Sequence, residues 1–129
     1  MSAPAAKQGD RVTALDTHLI QPPGPSSPAP VPHPFGGIID GALSHNVNIL
    51  GKAAATVDST ATNTPSHIPL GGTFVKPPTN KGRIVRGSAT VFINGKAAAR
   101  AGDTAITCND PTDLPVGTVV AAGTVTIGG

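Results

Sequence analysis

The chain has 129 residues and a net charge of +2, and its 16 glycines and 14 prolines make up nearly a quarter of it. This length fits one domain over residues 1–129. The basic residues are scattered, which disfavours nucleic-acid binding. The sequence has neither a membrane span nor the apolar core of a signal peptide, so we expect synthesis in the cytoplasm.

The expected core is poor in aromatic side chains. The sequence contains no Trp, no Tyr and 3 Phe, so Ala, Val, Ile and Thr must supply most of the apolar burial. Packing of such small residues stabilises a domain of this size weakly. A lone cysteine, Cys108, cannot form an internal disulfide. A bound metal is therefore the expected additional source of stability.

The first element along the chain is a Gly-Asp turn, QGDRVT at Gln8–Thr13, which recurs as AGDTAIT at Ala101–Thr107. A degenerate middle copy has Ser59 in the position of Asp103. In such turns an acidic side chain typically accepts hydrogen bonds from nearby backbone amides. We therefore expect Asp10 and Asp103 to have a structural role.

A Pro-rich segment follows each turn, at Gln21–Pro34, Pro65–Pro78 and Asp110–Pro115. Proline has no backbone N–H to donate to a sheet, so these segments are predicted to be loops or extended arms. Because each segment follows the same element of its unit, we expect the three to converge at one end of the protein.

The strand pattern repeats as well. VNILGKAAATVDST at Val47–Thr60 matches VFINGKAAARAGDT at Val91–Thr104, and GTVVAAGTVTIGG at Gly117–Gly129 is a shortened third copy. Gly-bounded segments precede the first two, at Gly36–Gly41 and Gly82–Gly87. Val-x-Ile alternation followed by glycine is typical of strands joined by tight turns. The small alanines that follow suit a narrow axis where repeats meet.

These patterns predict an all-β fold built from three pseudo-three-fold β repeats, with units at roughly 8–55, 56–99 and 100–129. Each unit also carries one residue of a metal-ligating type in its loop. His18 and His67 follow their turns at the same spacing, and Cys108 lies in the corresponding loop of the third unit. Two imidazoles and a thiolate supply three corners of a tetrahedral zinc site.

The fourth ligand is open between two histidines. His33 lies at the far end of the first loop and is preferred, whereas His45 precedes a Val-x-Ile strand and is expected toward the other end. With four protein ligands, one Zn²⁺ per chain would be structural rather than catalytic. We find no general acid or base to pair with it and no complete phosphate loop, so no catalytic residue is assigned and the protein is predicted not to be an enzyme.

The stretch VFINGKAAARAGDT resembles the sequence motif of the PAAR-repeat family, which is named for Pro-Ala-Ala-Arg. Here Ala97–Arg100 occupies the position of those four residues, with Ala in place of Pro. Ala53–Thr56 is a second, weaker match. The resemblance extends over Gly9–Gly129 and is strongest over Gly82–Cys108. It implies a small cone or pyramid with Pro- and Gly-rich loops and a zinc near the apex, and it implies the ligand set His18, His33, His67 and Cys108.

The resemblance also implies a partner. Members of the family cap a trimeric β-helical spike, the valine–glycine-repeat (VgrG-like) protein of type VI secretion and related contractile injection systems. We expect one monomer on the trimer end, where it sharpens the spike and aids puncture of a target membrane without integrating into it. The expected spike-binding residues are Val47, Ile49, Val91, Ile93, Val125 and Ile127.

The family resemblance gives further expectations. The tip would be delivered on the spike outside the cell or into a target cell. Because the chain ends soon after the third Val-x-Ile strand, no fused effector domain is expected. The main alternative is an adaptor that docks separate effector or chaperone cargo through the Pro-rich arms. A small metallohydrolase and a glycine-rich coat protein are further alternatives, and the type of contractile machine stays open.

Overall fold

The computed structural model describes residues 2–129. This part of the chain contains strands and no helix, so the predicted all-β class is confirmed. Accordingly, residues 2–129 contain no helix of the length and apolarity that crossing a membrane requires. The strands are β1 Ala3–Pro4, β2 Arg11–Gln21, β3 Ala29–Gly41, β4 Asn48–Ile49, β5 Lys52–Ala53, β6 Thr60–Asn63, β7 Thr73–Phe74, β8 Lys81–Ile84, β9 Phe92–Ile93, β10 Lys96–Ala97, β11 Thr104–Thr107, β12 Leu114–Val120 and β13 Thr126–Ile127.

A closed barrel forms the body of the protein. Strands β2, β3, β6, β8, β11 and β12 pair in that order, and β12 pairs back with β2 to close the ring. All of these pairings are antiparallel. Closure leaves no free edge around the body of the barrel, which removes the usual route to edge-to-edge aggregation.

The barrel interior is narrow and lined by small or β-branched side chains. Val12, Ile39, Ile84 and Val119 are at most 1% exposed, and they alternate along their strands with outward-facing residues. The single aromatic ring of this core, that of Phe35, packs against two glycines, Gly37 and Gly82. A Cβ atom on Gly37 would lie 2.6 Å from the Phe35 ring, and one on Gly82 would lie 3.3 Å from it. Glycine at these positions therefore makes room for the ring.

Three two-stranded ribbons, β4–β5, β9–β10 and β13–β1, extend from one end of the barrel, which we call the ribbon end. Beneath them the backbone forms a closed ring of hydrogen bonds. The Ala6 N–H donates to Ala99 O at 2.9 Å, the Ala99 N–H to Ala55 O at 3.1 Å, and the Ala55 N–H to Ala6 O at 3.0 Å. These alanine side chains are fully buried, as expected for a narrow axis. Three Ile and three Ala side chains form a second apolar cluster beside the ring: Ala5, Ile49, Ala54, Ile93, Ala98 and Ile127.

Each of the three segments that form the ring is followed by a turn that a side chain caps. Asp10 Oδ2 accepts the Lys7 N–H at 3.0 Å, and Asp103 Oδ2 accepts the Arg100 N–H at 2.7 Å. In the middle copy the Ser59 hydroxyl accepts a backbone N–H at 2.9 Å. Thus Asp10 and Asp103 have the structural role that the sequence predicted.

The third ribbon joins the two ends of the described chain. Strand β13 pairs with β1 through Ala3↔Ile127 and Pro4↔Thr126. The sequence Pro4-Ala5-Ala6-Lys7 therefore lies in the third ribbon as Ala97-Ala98-Ala99-Arg100 lies in the second. The repeat boundaries drawn from the sequence begin at residue 8 and left this segment out.

The first Pro-rich segment, which the sequence predicted to be a loop or an extended arm, is in part a strand of the barrel. Residues 29–34 form the first half of β3 and pair with β2 through Ile20↔Ala29 to Leu15↔Pro34. In β2, the backbone N–H groups of Thr17 and Leu19 point away from β3. They donate hydrogen bonds to the side chains of Asn109 and Asp110. The prolines opposite these residues therefore direct their nitrogens to the outer edge, where no N–H is needed. The other two Pro-rich segments are loops apart from β7 and the start of β12.

The alanine ring gives a prediction about stability. Replacing Ala99 with Leu inserts three heavy atoms at a fully buried site, so we expect the free energy of unfolding to fall by about 1–3 kcal/mol. Urea unfolding followed by far-UV circular dichroism measures the change. Ala89→Leu, at an exposed position, is the matched control. Equal stability of the two variants would contradict the account of the ring.

Candidate metal centre

Three of the predicted ligands meet at the barrel end opposite the ribbons, which we call the histidine end. His18 points inward from β2, His67 lies in the loop after β6, and Cys108 directly follows β11. Together with Asp16, each offers a ligand atom, and these four atoms all lie within 4.8 Å of one another. The Cys108 Sγ atom is 3.8 Å from His18 Nε2. The side chains of this cluster are at most 2% exposed.

His33 lies beside this cluster, on β3. Its ring centroid is 5.6 Å from those of both His18 and His67, which are 4.9 Å apart. Three imidazoles bound through Nε2 to one tetrahedral zinc would have centroids about 5.2 Å apart. The His33 Nδ1–H donates to Val31 O at 2.8 Å. The lone pair of His33 is therefore on Nε2, where the Leu70 N–H approaches at 3.3 Å.

Asp16 is a site residue that the sequence reasoning missed. Its carboxylate is fully buried and accepts three hydrogen bonds. The donors are the Thr107 hydroxyl, His67 Nε2 at 2.9 Å and the Cys108 thiol at 3.4 Å. The available signal was its spacing: Asp16 precedes His18 by two positions on a strand, so both side chains face the interior.

Burial keeps two members of the cluster uncharged at neutral pH. It raises the pKa of the Cys108 thiol to about 11, and the nearby Asp16 carboxylate adds to this effect. Burial also lowers the pKa of His18, an effect that the Asp110 carboxylate partly opposes. His18 Nδ1 is buried without a hydrogen bond in the described part of the chain, and Asp110 Oδ2 is 3.6 Å away. A metal would replace the thiol proton, and the lowered pKa of His18 favours the neutral imidazole that binds a metal.

Two side chains hold β2 in place around His18, because they accept the backbone hydrogen bonds that a neighbouring strand would otherwise accept. Asn109 Oδ1 accepts the Thr17 N–H at 2.7 Å, and Asp110 Oδ2 accepts the Leu19 N–H at 2.8 Å. The Phe74 ring, on β7, packs against the cluster with its centroid 5.8 Å from that of His18. These contacts hold β2 and the His18 ring in place at the histidine end.

His45 lies away from this centre. It is exposed and lines a surface pocket with Ser44, Asn94 and Lys96 at the ribbon end. This is the end at which the sequence reasoning expected it.

The six predicted spike-binding residues lie at the ribbon end, with unequal exposure. Ile49, Ile93 and Ile127 belong to the second apolar cluster and are 7%, 9% and 7% exposed. Val47 packs partly buried against them, whereas Val91 and Val125 are 37% and 39% exposed. The most exposed apolar side chains of the ribbons are Phe92 at 60% and Leu50 at 54%, which the prediction did not include.

The donor set has the chemistry of a transition-metal site. Thiolate and imidazole ligands bind zinc well, whereas Ca²⁺ and Mg²⁺ prefer sites built from oxygen. A cluster of Asp, His, His and Cys within 4.8 Å can bind such an ion. The residues present therefore fit a metal of the zinc type.

Fold and site together define a small all-β barrel protein with a buried Cys–His cluster at one end. The family model described as PAAR motif matches residues 29–111 and 76–129, so the chain belongs to the PAAR-motif family. This family is one of structural proteins, and membership implies association with a spike complex. No curated protein matches the chain.

The thiol environment gives a testable pH dependence. Because the pKa of Cys108 is raised to about 11, the thiolate fraction in the metal-free protein should rise about tenfold per pH unit between pH 7 and 9.5. Alkylation by iodoacetamide, followed by mass spectrometry, should show the same slope. The urea-unfolded chain is the control, and its rate should level off above pH about 8.5. A native rate that levels off there too would contradict the buried neutral thiol.

Proposed function

We propose that this protein is the tip of a contractile injection spike, bound to the end of a trimeric VgrG-like protein and stabilised by one structural zinc. The observation that carries this proposal is the pair of overlapping matches of the PAAR-motif model, to residues 29–111 and 76–129. The tip would narrow the blunt spike end, so the force of contraction acts on a small area of the target membrane. It would leave the producing cell on the spike.

The geometry of the ribbon end supports a three-fold partner. Three ribbons surround a ring in which Ala6, Ala55 and Ala99 exchange equivalent backbone hydrogen bonds. We infer that the three repeats are related by pseudo-three-fold symmetry. A monomer with this symmetry can present similar contacts to each chain of a trimer, as a closed three-fold interface requires.

The ribbon end also carries the apolar surface that such an interface needs. Phe92, Leu50, Val91 and Val125 are 37% to 60% exposed. Each lies one or two positions along the chain from Ile49, Ile93 or Ile127, and these three isoleucines share one buried cluster. We therefore propose that the exposed residues contact the spike, while Ile49, Ile93 and Ile127 position the ribbons.

Zinc would stabilise the opposite end. We propose that His18, His33, His67 and Cys108 hold it, since the three imidazole centroids lie 4.9 to 5.6 Å from one another and the Cys108 Sγ atom is 3.8 Å from His18 Nε2. When bound, the ion would supply coordination bonds that join β2, β3, the loop after β6 and the end of β11. Four protein ligands close the site to substrate, in keeping with a structural role.

An adaptor role is the second candidate. The loop that carries His67 exposes Ile68 at 69% and Leu70 at 47%, beside Pro65 and Pro34 in one surface pocket. Separate effector or chaperone cargo would dock at this end, away from the spike. Binding of both partners at once would be compatible with the primary proposal.

The zinc proposal predicts the metal content of purified protein. Protein prepared without chelator should contain about one zinc per chain by elemental mass spectrometry. Single Ala substitutions of His18, His33, His67 or Cys108 should lower the content to less than about half, because each removes one of four ligands. His45→Ala is the control and should keep full zinc. Full zinc in the four variants would contradict the ligand set.

The spike proposal predicts which end binds. Phe92→Asp combined with Leu50→Asp should weaken binding to a VgrG-like trimer at least about tenfold, because charges would be buried in an apolar interface. Leu15→Asp is the matched control, since Leu15 is also 60% exposed but lies on the barrel wall. Binding is measured by biolayer interferometry. Normal binding of the ribbon variant, or equal loss in the control, would contradict the proposed interface.

A further inference from the structure

Asp16 is a fully buried carboxylate whose ion-pair partner, in residues 2–129, is a histidine, His67. Asp110 likewise lies beside His18, whereas Asp10, Asp58 and Asp103 each pair with Lys or Arg. Burying a carboxylate is costly unless it is hydrogen-bonded on all sides. Asp16 meets this requirement with three donors. These hydrogen bonds therefore offset the cost of burying the carboxylate, and they tie it to its three donors.

The three donors come from different parts of the histidine end. Thr107 is the last residue of β11, Cys108 begins the following loop, and His67 lies in the loop after β6. Asp16 itself is on β2. One side chain therefore joins the segments that carry His18, His67 and Cys108.

Two of the hydrogen bonds use the atoms that a metal would use. Asp16 Oδ2 accepts from His67 Nε2 at 2.9 Å and from Cys108 Sγ at 3.4 Å. A nitrogen that donates a proton to a carboxylate has no lone pair free for a metal, and a thiol must lose its proton to bind one. The carboxylate and the metal thus compete for the same two atoms.

We propose that Asp16 is a positioning residue that holds His67 and Cys108 together when the metal is absent and releases them when it binds. Thr107 donates to the other carboxylate oxygen and keeps Asp16 in place in both states. The ligand set is thereby assembled before the metal arrives, which lowers the ordering cost of binding. This inference rests on the proposed metal site.

Amide hydrogen exchange of the metal-free protein tests the role of Asp16. In Asp16→Asn, the His67 and Asp110 amides should exchange at least about tenfold faster than in the wild type, because the segments are no longer held together. The Ala55 and Ala99 amides of the ring should be unchanged. Asp40→Asn, which removes an exposed carboxylate, is the control and should match the wild type. Thr107→Val should show a smaller effect in the same direction.

The same measurement with excess zinc separates positioning from general destabilisation. Zinc should bring the Asp16→Asn rates to within about threefold of the zinc-loaded wild type. Unchanged rates in metal-free Asp16→Asn and Thr107→Val would overturn the inference, and so would an equal acceleration with and without zinc. If wild-type protein binds no zinc, the zinc proposal fails, while the metal-free comparison still decides whether Asp16 orders this end.

Discussion

The structure depends on closing a narrow barrel whose core contains a single aromatic side chain. Six strands enclose mostly Ala, Val and Ile with one Phe, which bury little area per residue. Both ends of the barrel must therefore be stabilised by other interactions. At the ribbon end, a ring of backbone hydrogen bonds among Ala6, Ala55 and Ala99 provides this stabilisation. At the histidine end, the barrel interior is filled by buried polar side chains rather than by apolar ones.

The proposed function assigns a different role to each of these two ends. The ribbons and their isoleucine cluster would form the surface for the spike, while the histidine end gathers loops that have little apolar core of their own. Metal ligation is suited to such loops, because a few coordination bonds replace the many contacts that a larger core would provide. The proposed docking surface and the proposed metal site therefore lie at opposite ends of the fold.

Repetition and residue chemistry made part of the structure predictable from the sequence. The all-β class, the capped Gly-Asp turns and the buried alanines were all readable, as was the family. The role of Pro4–Lys7 was missed because the segment precedes the first recognised turn, although Pro-Ala-Ala-Lys repeats the motif of Ala97–Arg100. The strand at Ala29–Pro34 was missed because proline usually disfavours a strand. Here the prolines stand at alternate positions, so all their nitrogens face the edge away from β2. This tolerance can be recognised only when the pairing of β3 with β2 is known. Asp16 has no counterpart in the other repeats, so repetition gave no signal for it.

The most direct test of the central claim is X-ray absorption spectroscopy at the zinc edge of protein purified without chelator. We expect a four-coordinate zinc with one sulfur ligand, from Cys108, and three imidazole nitrogens, from His18, His33 and His67. A zinc without a sulfur ligand, or a protein without zinc, would contradict the claim that metal ligation stabilises the histidine end.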